Sequence, residues 1–296
     1  FEQSFMKALL HGVIAEDMVF PFPETPAGER ENVGLMLDTI RRFFTANVDS
    51  AKIDRDHEIP PSVIAGMKEM GLFGLQIGAE HGGIGLSTHS YLRVLQEIAS
   101  RDTSIAVTLG AHQSIGLKAL LLFGTPELKQ RYLPALATGE KVAAFALTEP
   151  GAGSDAAAIK THAELSPDGS HYLINGSKIW ITNGGFADVF TVFARTSPDE
   201  EGRKPKITAF LVERGPGVTS GPNEPKLGIR GSSTTELFFD DVKVPRENVI
   251  GEVGKGFKVA MEVLNNGRLG LAVGCVGLGA ALVKMAIERV QERRAF

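Results

Sequence analysis

The chain runs through two hydrophobic rhythms and then returns to the first. Up to about residue 140 the apolar positions recur at helical spacing. In "NVGLMLDTIRRFFTANV" they are Val33, Leu37, Ile40, Phe44 and Val48, one face of an amphipathic helix. "IPPSVIAGMKEMGLFGL" opens with prolines suited to a first turn, runs through Val63, Met67 and Met70, and stops at Gly71. "THSYLRVLQEIASRD" predicts another amphipathic helix. "SIAVTLGAHQSIGLKALLLFG" is apolar nearly all round and predicts a single helix in the core. "TPELKQRYLPALATGE" opens with a Thr cap and a Pro at the first helical position.

From Lys141 to about Asn248 the runs shorten and alternate. "HYLI" and "SKIWIT" flank Asn175-Gly176 and predict a hairpin, because both turn positions favour positive φ. "ADVFTVFAR", "KITAFLVE" and "TTELFFDDVKV" read as further strands. Together they predict a compact antiparallel barrel or sandwich, and with the helices an α+β fold. After "GEVGKGF" one long helical pattern spans Lys258 to Arg293. One helix that is apolar on most faces is not a domain, so the rest of its domain is expected beyond Phe296. The expected division is a helical domain over 1–140, a β domain over 141–254, and the first helix of a second helical domain over 255–296.

Composition adds boundaries. The chain has 296 residues, 43% hydrophobic and 22% charged, with net charge -4. That is ordinary globular material, about two domains by length. No dense Lys/Arg stripe is present, which argues against a nucleic-acid partner. The single cysteine, Cys275, cannot form an internal disulfide; within "LAVGCVGLG" it reads as a small buried hydrophobe in a reducing compartment. No signal-peptide pattern is visible. The longest apolar run, Leu269 to Val283, is shorter than the roughly 20 residues of a membrane span. Gly270, Gly274 and Gly277 within it predict close helix packing.

Two stretches carry candidate chemistry. In "FALTEPGAGSDAAAIK" a strand-like run enters a loop of Pro, Gly, Ser and Asp. Gly151 and Gly153 permit close approach of a ligand. Successive N–H groups with the Ser154 hydroxyl suit pyrophosphate oxygens; a plain Pro-Gly turn is the competing reading. "SKIWITNGG" holds the only tryptophan, Trp180, followed by Thr182. An indole beside a hydroxyl suits a planar ring and its polar edge; a core tryptophan is the competing reading. Other signals carry less. "GEVGKGF" lacks the P-loop spacing. His112 and Ser114 sit two apart on different helix faces and predict packing. The seven His show no metal spacing. Gly110 and Ala111 leave room for a long chain or permit close helix contact.

In combination, "FALTEPGAGSD" and "KIWITNGG" resemble the two flavin-binding signatures of the acyl-CoA dehydrogenase family, in order and spacing. "VFPFPE", "GLFGLQ", "LGAHQSIG" and "GFKVAMEVLNNGR" look most like its very-long-chain branch and that branch's complex I assembly relative. The resemblance spans essentially the whole chain. It implies FAD as cofactor, with Phe145, Ala146, Leu147, Thr148, Gly153 and Ser154 lining it and Trp180, Ile181 and Thr182 flanking its ring. It implies that Ser154, Asn265 and Arg268 meet the acyl-CoA substrate, although shorter-chain relatives often carry Asp where Asn265 stands. It implies that Arg293 and Phe296 reach the adenine end of a neighbouring subunit's flavin.

The implied activity is α,β-dehydrogenation of long-chain acyl-CoA to trans-2-enoyl-CoA in fatty-acid β-oxidation, with electrons passed to electron transfer flavoprotein. The implied assembly is a homodimer or homotetramer in bacterial cytoplasm or mitochondrial matrix, with any membrane association through a region beyond Phe296. No catalytic base is assigned: the family's Glu lies beyond Phe296, and its alternative position is Gly267 here. Glu149 and Asp155 read as structural carboxylates. Two rival functions are a non-catalytic assembly scaffold that keeps the fold and an acyl-CoA oxidase.

Overall fold

The structure, a computed structural model, describes residues 4–22, 24–197 and 206–294. Capping residues set the early helices. Ser4 caps α1 (Phe5–Leu10) and Asp49 caps α3 (Ser50–Asp56), accepting from the Lys52 N–H at 2.9 Å. Between them α2 (Ala27–Asn47) buries Val33, Leu37, Ile40 and Phe44, the face its spacing predicts. Pro61 opens α4 (Pro61–Glu69), and Gly71 follows it at φ 70°, a left-handed turn that favours glycine. Ser87 caps α5 (Thr88–Arg101).

The predicted core helix runs from Thr103 to Phe123 but is not α-helical throughout. Asp102 caps α6 (Thr103–Gly110), accepting from the Ile105 N–H at 2.8 Å. A π-helical turn, Ala111–Gly116, separates α6 from α7 (Lys118–Phe123). The stretch is apolar nearly all round, so periodicity gives no sign of the wider turn. Its cause is polar: three successive buried side chains each bind a different neighbour. His112 donates from Nε2 to the Leu136 carbonyl at 3.1 Å and accepts the Ala143 N–H on Nδ1 at 2.9 Å. Gln113 donates to the Leu72 carbonyl at 2.7 Å, and Ser114 shares a 2.6 Å bond with the Tyr91 hydroxyl. The widened turn lets each of the three make its bond, with only Gln113 Oε1 left without a partner. Thr125 then caps α8 (Pro126–Thr138), accepting from Leu128 N–H, and Gly139 ends it at φ 74°.

The strands form one mixed sheet with the order β6-β7-β3-β2-β4-β5-β8. Most pairings are antiparallel, as alternation predicts. The departures are β1 (Ala143–Ala146), which runs parallel to β4 (Val189–Arg195), and β2 (His162–Leu165), which meets β4 in parallel at a single pair. The Asn175-Gly176 hairpin does not form. Both residues lie inside β3 (His171–Thr182), where the register with β7 (Thr234–Pro245) shifts. Gly176, at φ 143°, is needed there for proximity: a Cβ would sit 2.6 Å from Thr161 Oγ1. The actual β2–β3 turn is "SPDGS", with Gly169 at φ 69° and Asp168 accepting from the Ser166 hydroxyl and the Ser170 N–H. β5 (Ile207–Glu213) joins β4 to β8 (Val249–Ile250), and β6 (Val218–Ser220) edges β7.

β4 and β5 are buried on both faces, which explains their unbroken apolar runs. One face packs on helices through Phe193 and Leu211; the other closes a β core around Phe190 and Phe210. Helix α9 (Gly256–Glu292) starts against β5, where a Cβ on Gly256 would lie 2.5 Å from the Ala209 nitrogen. It then crosses α5, where a Cβ on Gly277 would lie 2.3 Å from the Gln96 carbonyl oxygen. The close-packing reading of these glycines therefore has a definite neighbour. Cys275 is exposed rather than buried, because it lies off the α5-facing stripe. The run Leu269–Val283 is only part of α9, whose 37 residues are long and apolar enough to cross a membrane by length and composition. The stretch Thr103–Phe123 also passes, but 72% of its apolar window is buried inside the protein, against 11% for α9.

Candidate functional site

A second irregularity in β3 builds the site. Between Lys178 and Ile181 the register with β7 slips again. The Ile179 N–H turns away from β7 and donates to the Thr148 carbonyl at 2.9 Å. Trp180 adopts φ 58°, a left-handed conformation that a bulky residue rarely takes. Its indole is 62% exposed, whereas Ile179 and Ile181 on either side are buried. The bulge thus re-aims the only tryptophan out of the core.

Opposite stands the segment that leaves β1. Phe145, Leu147 and Thr148 line it, followed by a tight turn in which Glu149 and Ala152 exchange N–H···O bonds at 3.1 and 3.0 Å. Gly153 and Ser154 complete this wall. Between it and the Trp180–Ile181–Thr182 wall lies a cleft of about 450 Å³, closed at its base by Ile115 and by Met261, Leu264 and Arg268 of α9. Among the described residues, the hydroxyls of Thr148, Ser154 and Thr182, the Trp180 indole N–H, and the N–H groups of Gly153 and Ser154 have no partner in the chain. A cleft with apolar walls and spare donors on its rim suits a flat, polar-edged ligand with an anionic tail. Of the residues predicted to line it, Ala146 is turned away into the β core.

A second space adjoins the first. It holds about 400 Å³ between α5, α6, the π-helical turn and α9. Its walls are mostly apolar and small, including Ala99, Ala106, Gly110, Ala111, Gly270 and Gly274. Ile115, Thr182, Leu264 and Arg268 line both spaces, so the two adjoin along these residues. Gly267 also lines the second space, and a Cβ there would lie 2.6 Å from Ile115 Cγ2. Neither space is lined by an Asp or Glu.

The remaining predicted positions separate. Arg268 lies where the spaces meet and donates from Nη1 to Asn265 Oδ1 at 2.5 Å. Asn265 is exposed and lines neither space. Arg293 is exposed at the C-terminal cap of α9, and Phe296 lies outside the described residues. Sequence reasoning missed Ile115, Met261 and Leu264, since apolar helix positions signal nothing beyond packing. It also missed Lys178, buried at 0% exposure, whose Nζ donates to Glu149 Oε1 at 2.7 Å and the Leu147 carbonyl at 3.0 Å. The signal was there: a Lys within the apolar alternation of "SKIWIT". Burial pushes this ammonium down to about 8 against the pull of Glu149. Burial pushes Glu149 up, but the Lys178 charge and the Lys160 N–H outweigh it, leaving the carboxyl below its ordinary range.

Three family models match the chain in succession: "Acyl-CoA dehydrogenase, N-terminal domain" over 31–140, "middle domain" over 144–242 and "C-terminal domain" over 254–296. Butyryl-CoA dehydrogenase from Megasphaera elsdenii superposes with a TM-score of 0.85 at 38% identity, covering 94% of this chain and 72% of that one. The chain belongs to the acyl-CoA dehydrogenase family. A second solved acyl-CoA dehydrogenase, complexed with FAD, from Bacillus anthracis, gives a TM-score of 0.83 at 40% identity, covering 92% of this chain and 46% of that one. Human "Very long-chain specific acyl-CoA dehydrogenase, mitochondrial" is 48% identical over 99% of the chain. The chain spans 46% of that relative's length.

Proposed function

We propose that the full-length protein is an FAD-dependent dehydrogenase of long-chain acyl-CoA, forming the trans-2-enoyl-CoA of fatty-acid β-oxidation and passing electrons to electron transfer flavoprotein. One observation carries the reading: a cleft with spare donors on its rim adjoins, along shared residues, an apolar cavity. A flat cofactor in the first and an aliphatic chain in the second would meet at Ile115, Thr182 and Arg268. When bound, FAD supplies the two-electron acceptor that no side chain offers.

The chain's own residues hold and orient. Trp180 would cover one face of the ring, and Phe145, Leu147 and Ile181 would give it apolar walls, with Ala146 supporting them from behind. The Thr148 and Thr182 hydroxyls would bind its polar edge, and the Gly153 and Ser154 N–H groups would bind the pyrophosphate. Ser154 and Arg268 would also contact the acyl-CoA, and Asn265 would act by holding the Arg268 side chain. Alignment of the reacting carbons against the ring contributes several kcal/mol, roughly, of barrier lowering. No Asp or Glu lines either space, so no proton acceptor for the α-carbon is assigned to the described residues. Arg293 and Phe296 serve a neighbouring subunit's flavin in a homodimer or homotetramer of the cytoplasm or matrix.

The full-length protein is expected to purify yellow, and palmitoyl-CoA added without oxygen to bleach it. A colourless protein that cannot be reconstituted with FAD overturns the reading and favours a scaffold. Rapid reoxidation by oxygen during turnover points to an oxidase.

A further inference from the structure

The Glu149–Lys178 pair has an arrangement that plain core stability does not require. Both hydrogen bonds of Lys178 Nζ run from β3 to the segment that leaves β1, to Leu147 O at 3.0 Å and Glu149 Oε1 at 2.7 Å, behind the two walls of the cleft. Glu149 in turn accepts the Lys160 N–H on Oε2 at 2.5 Å and the Thr161 N–H on Oε1 at 3.0 Å. The ion pair therefore ties both ends of the loop between 147 and 161, the ammonium at Leu147 and the carboxylate at Lys160 and Thr161, and that loop presents Thr148, Gly153 and Ser154. On its own strand Lys178 stands two residues before Trp180, at the register slip where β3 lets go of β7. At that slip the sheet ladder does not fix the strand; the Ile179 N–H to Thr148 carbonyl bond and the ion pair do. A buried ion pair is a costly way to fill a core, and matched apolar residues serve stability as well or better.

We infer that Glu149 and Lys178 are positioning residues that clip the two cleft walls together, fixing the cleft's width and the bulged placement of Trp180. The inference rests on the cofactor reading above for its ligand, FAD, but the placement of Trp180 is testable without it.

The test uses full-length protein, with and without FAD, and the double variant Glu149→Gln/Lys178→Met, which removes both charges at similar volume. Two quantities are read besides thermal unfolding: the FAD dissociation constant, and acrylamide quenching of Trp180 in the cofactor-free protein, isolated as the difference from a Trp180→Phe control. The expected result is a double variant that unfolds within a few degrees of wild type, binds FAD about tenfold more weakly, and shows altered Trp180 quenching. Wild-type FAD affinity together with unchanged quenching makes the pair an ordinary core ion pair and overturns the inference. Should wild type itself bind no FAD, the cofactor reading fails, and the quenching comparison alone decides the clip: unchanged quenching overturns it. If the double variant does not fold, the charge-keeping Glu149→Asp, which shortens the arm that reaches Lys178, carries the same two readouts.

Discussion

The cleft and the cavity touch at four residues, yet they are made from opposite materials. The cleft is built on strand ends and a loop, and its character lies in groups that are present: three hydroxyls, an indole and free N–H groups. The cavity is built on helices, and its character lies in groups that are absent. At Gly110 a Cβ would meet nothing within 4 Å. Recognition in the first space comes from donors and in the second from room. Damage should therefore follow opposite rules: deletion harms the cleft, and addition harms the cavity.

The largest effect is expected where the two spaces share a foundation. His112 sits in the π-helical turn that supplies Ala111 and Ser114 to the cavity and Ile115 to both. Burial pushes its imidazole down to about 4 from 6.5, so it is neutral in the folded protein. The unfolded chain takes up a proton below about 6.5 and the folded one does not, so this contribution is complete above 6.5 and is lost as pH falls toward 4. The difference of about 2.5 pH units corresponds to about 3 kcal/mol. Denaturant unfolding at pH 7 and pH 4.5 should show this loss in wild type and a flatter dependence in His112→Gln. Equal slopes would remove His112 as the cause.

Next in size is a change that only the cavity should feel. Gly110→Leu adds a side chain into open space and removes a helical glycine, so folding should be unharmed. Long acyl-CoA should bind at least about tenfold more weakly, short acyl-CoA much as before, because each buried methylene is worth about 0.8 kcal/mol. FAD affinity should stay constant. If FAD binding weakens as well, the two spaces are mechanically one.

The same contrast governs what the sequence disclosed. The cleft was legible because present groups leave letters: Thr148, Ser154, Trp180 and Thr182 could be named from motif alone. The helices and most strands were legible from period and caps. The Asn175-Gly176 turn was misread because Gly176 serves a close approach to Thr161, and a single sequence does not distinguish the two uses of glycine. The π-helical turn was invisible because its cause is a set of long-range bonds from His112, Gln113 and Ser114. The cavity was legible only as a hint at Gly110 and Ala111, since Ile115, Leu264 and the α9 glycines become walls only after α5 and α9 pack. Cys275 was misplaced for the same reason: an apolar run does not say which of its faces finds a neighbour.

The smallest predicted effect tests the boundary itself. Thr182 lines both spaces, so its hydroxyl and its methyl belong to different functions. Thr182→Val deletes the donor while keeping the shape. The cleft should lose one hydrogen bond, about 1 kcal/mol or roughly fivefold in FAD affinity. The cavity should lose nothing, so the ratio of long-chain to short-chain affinity should be unchanged. This is the reverse of the pattern expected for Gly110→Leu, and the two variants measured side by side decide the matter. If Thr182→Val shifts chain-length preference and leaves FAD affinity alone, the hydroxyl serves the acyl side, and the line between the two spaces must be redrawn at Trp180.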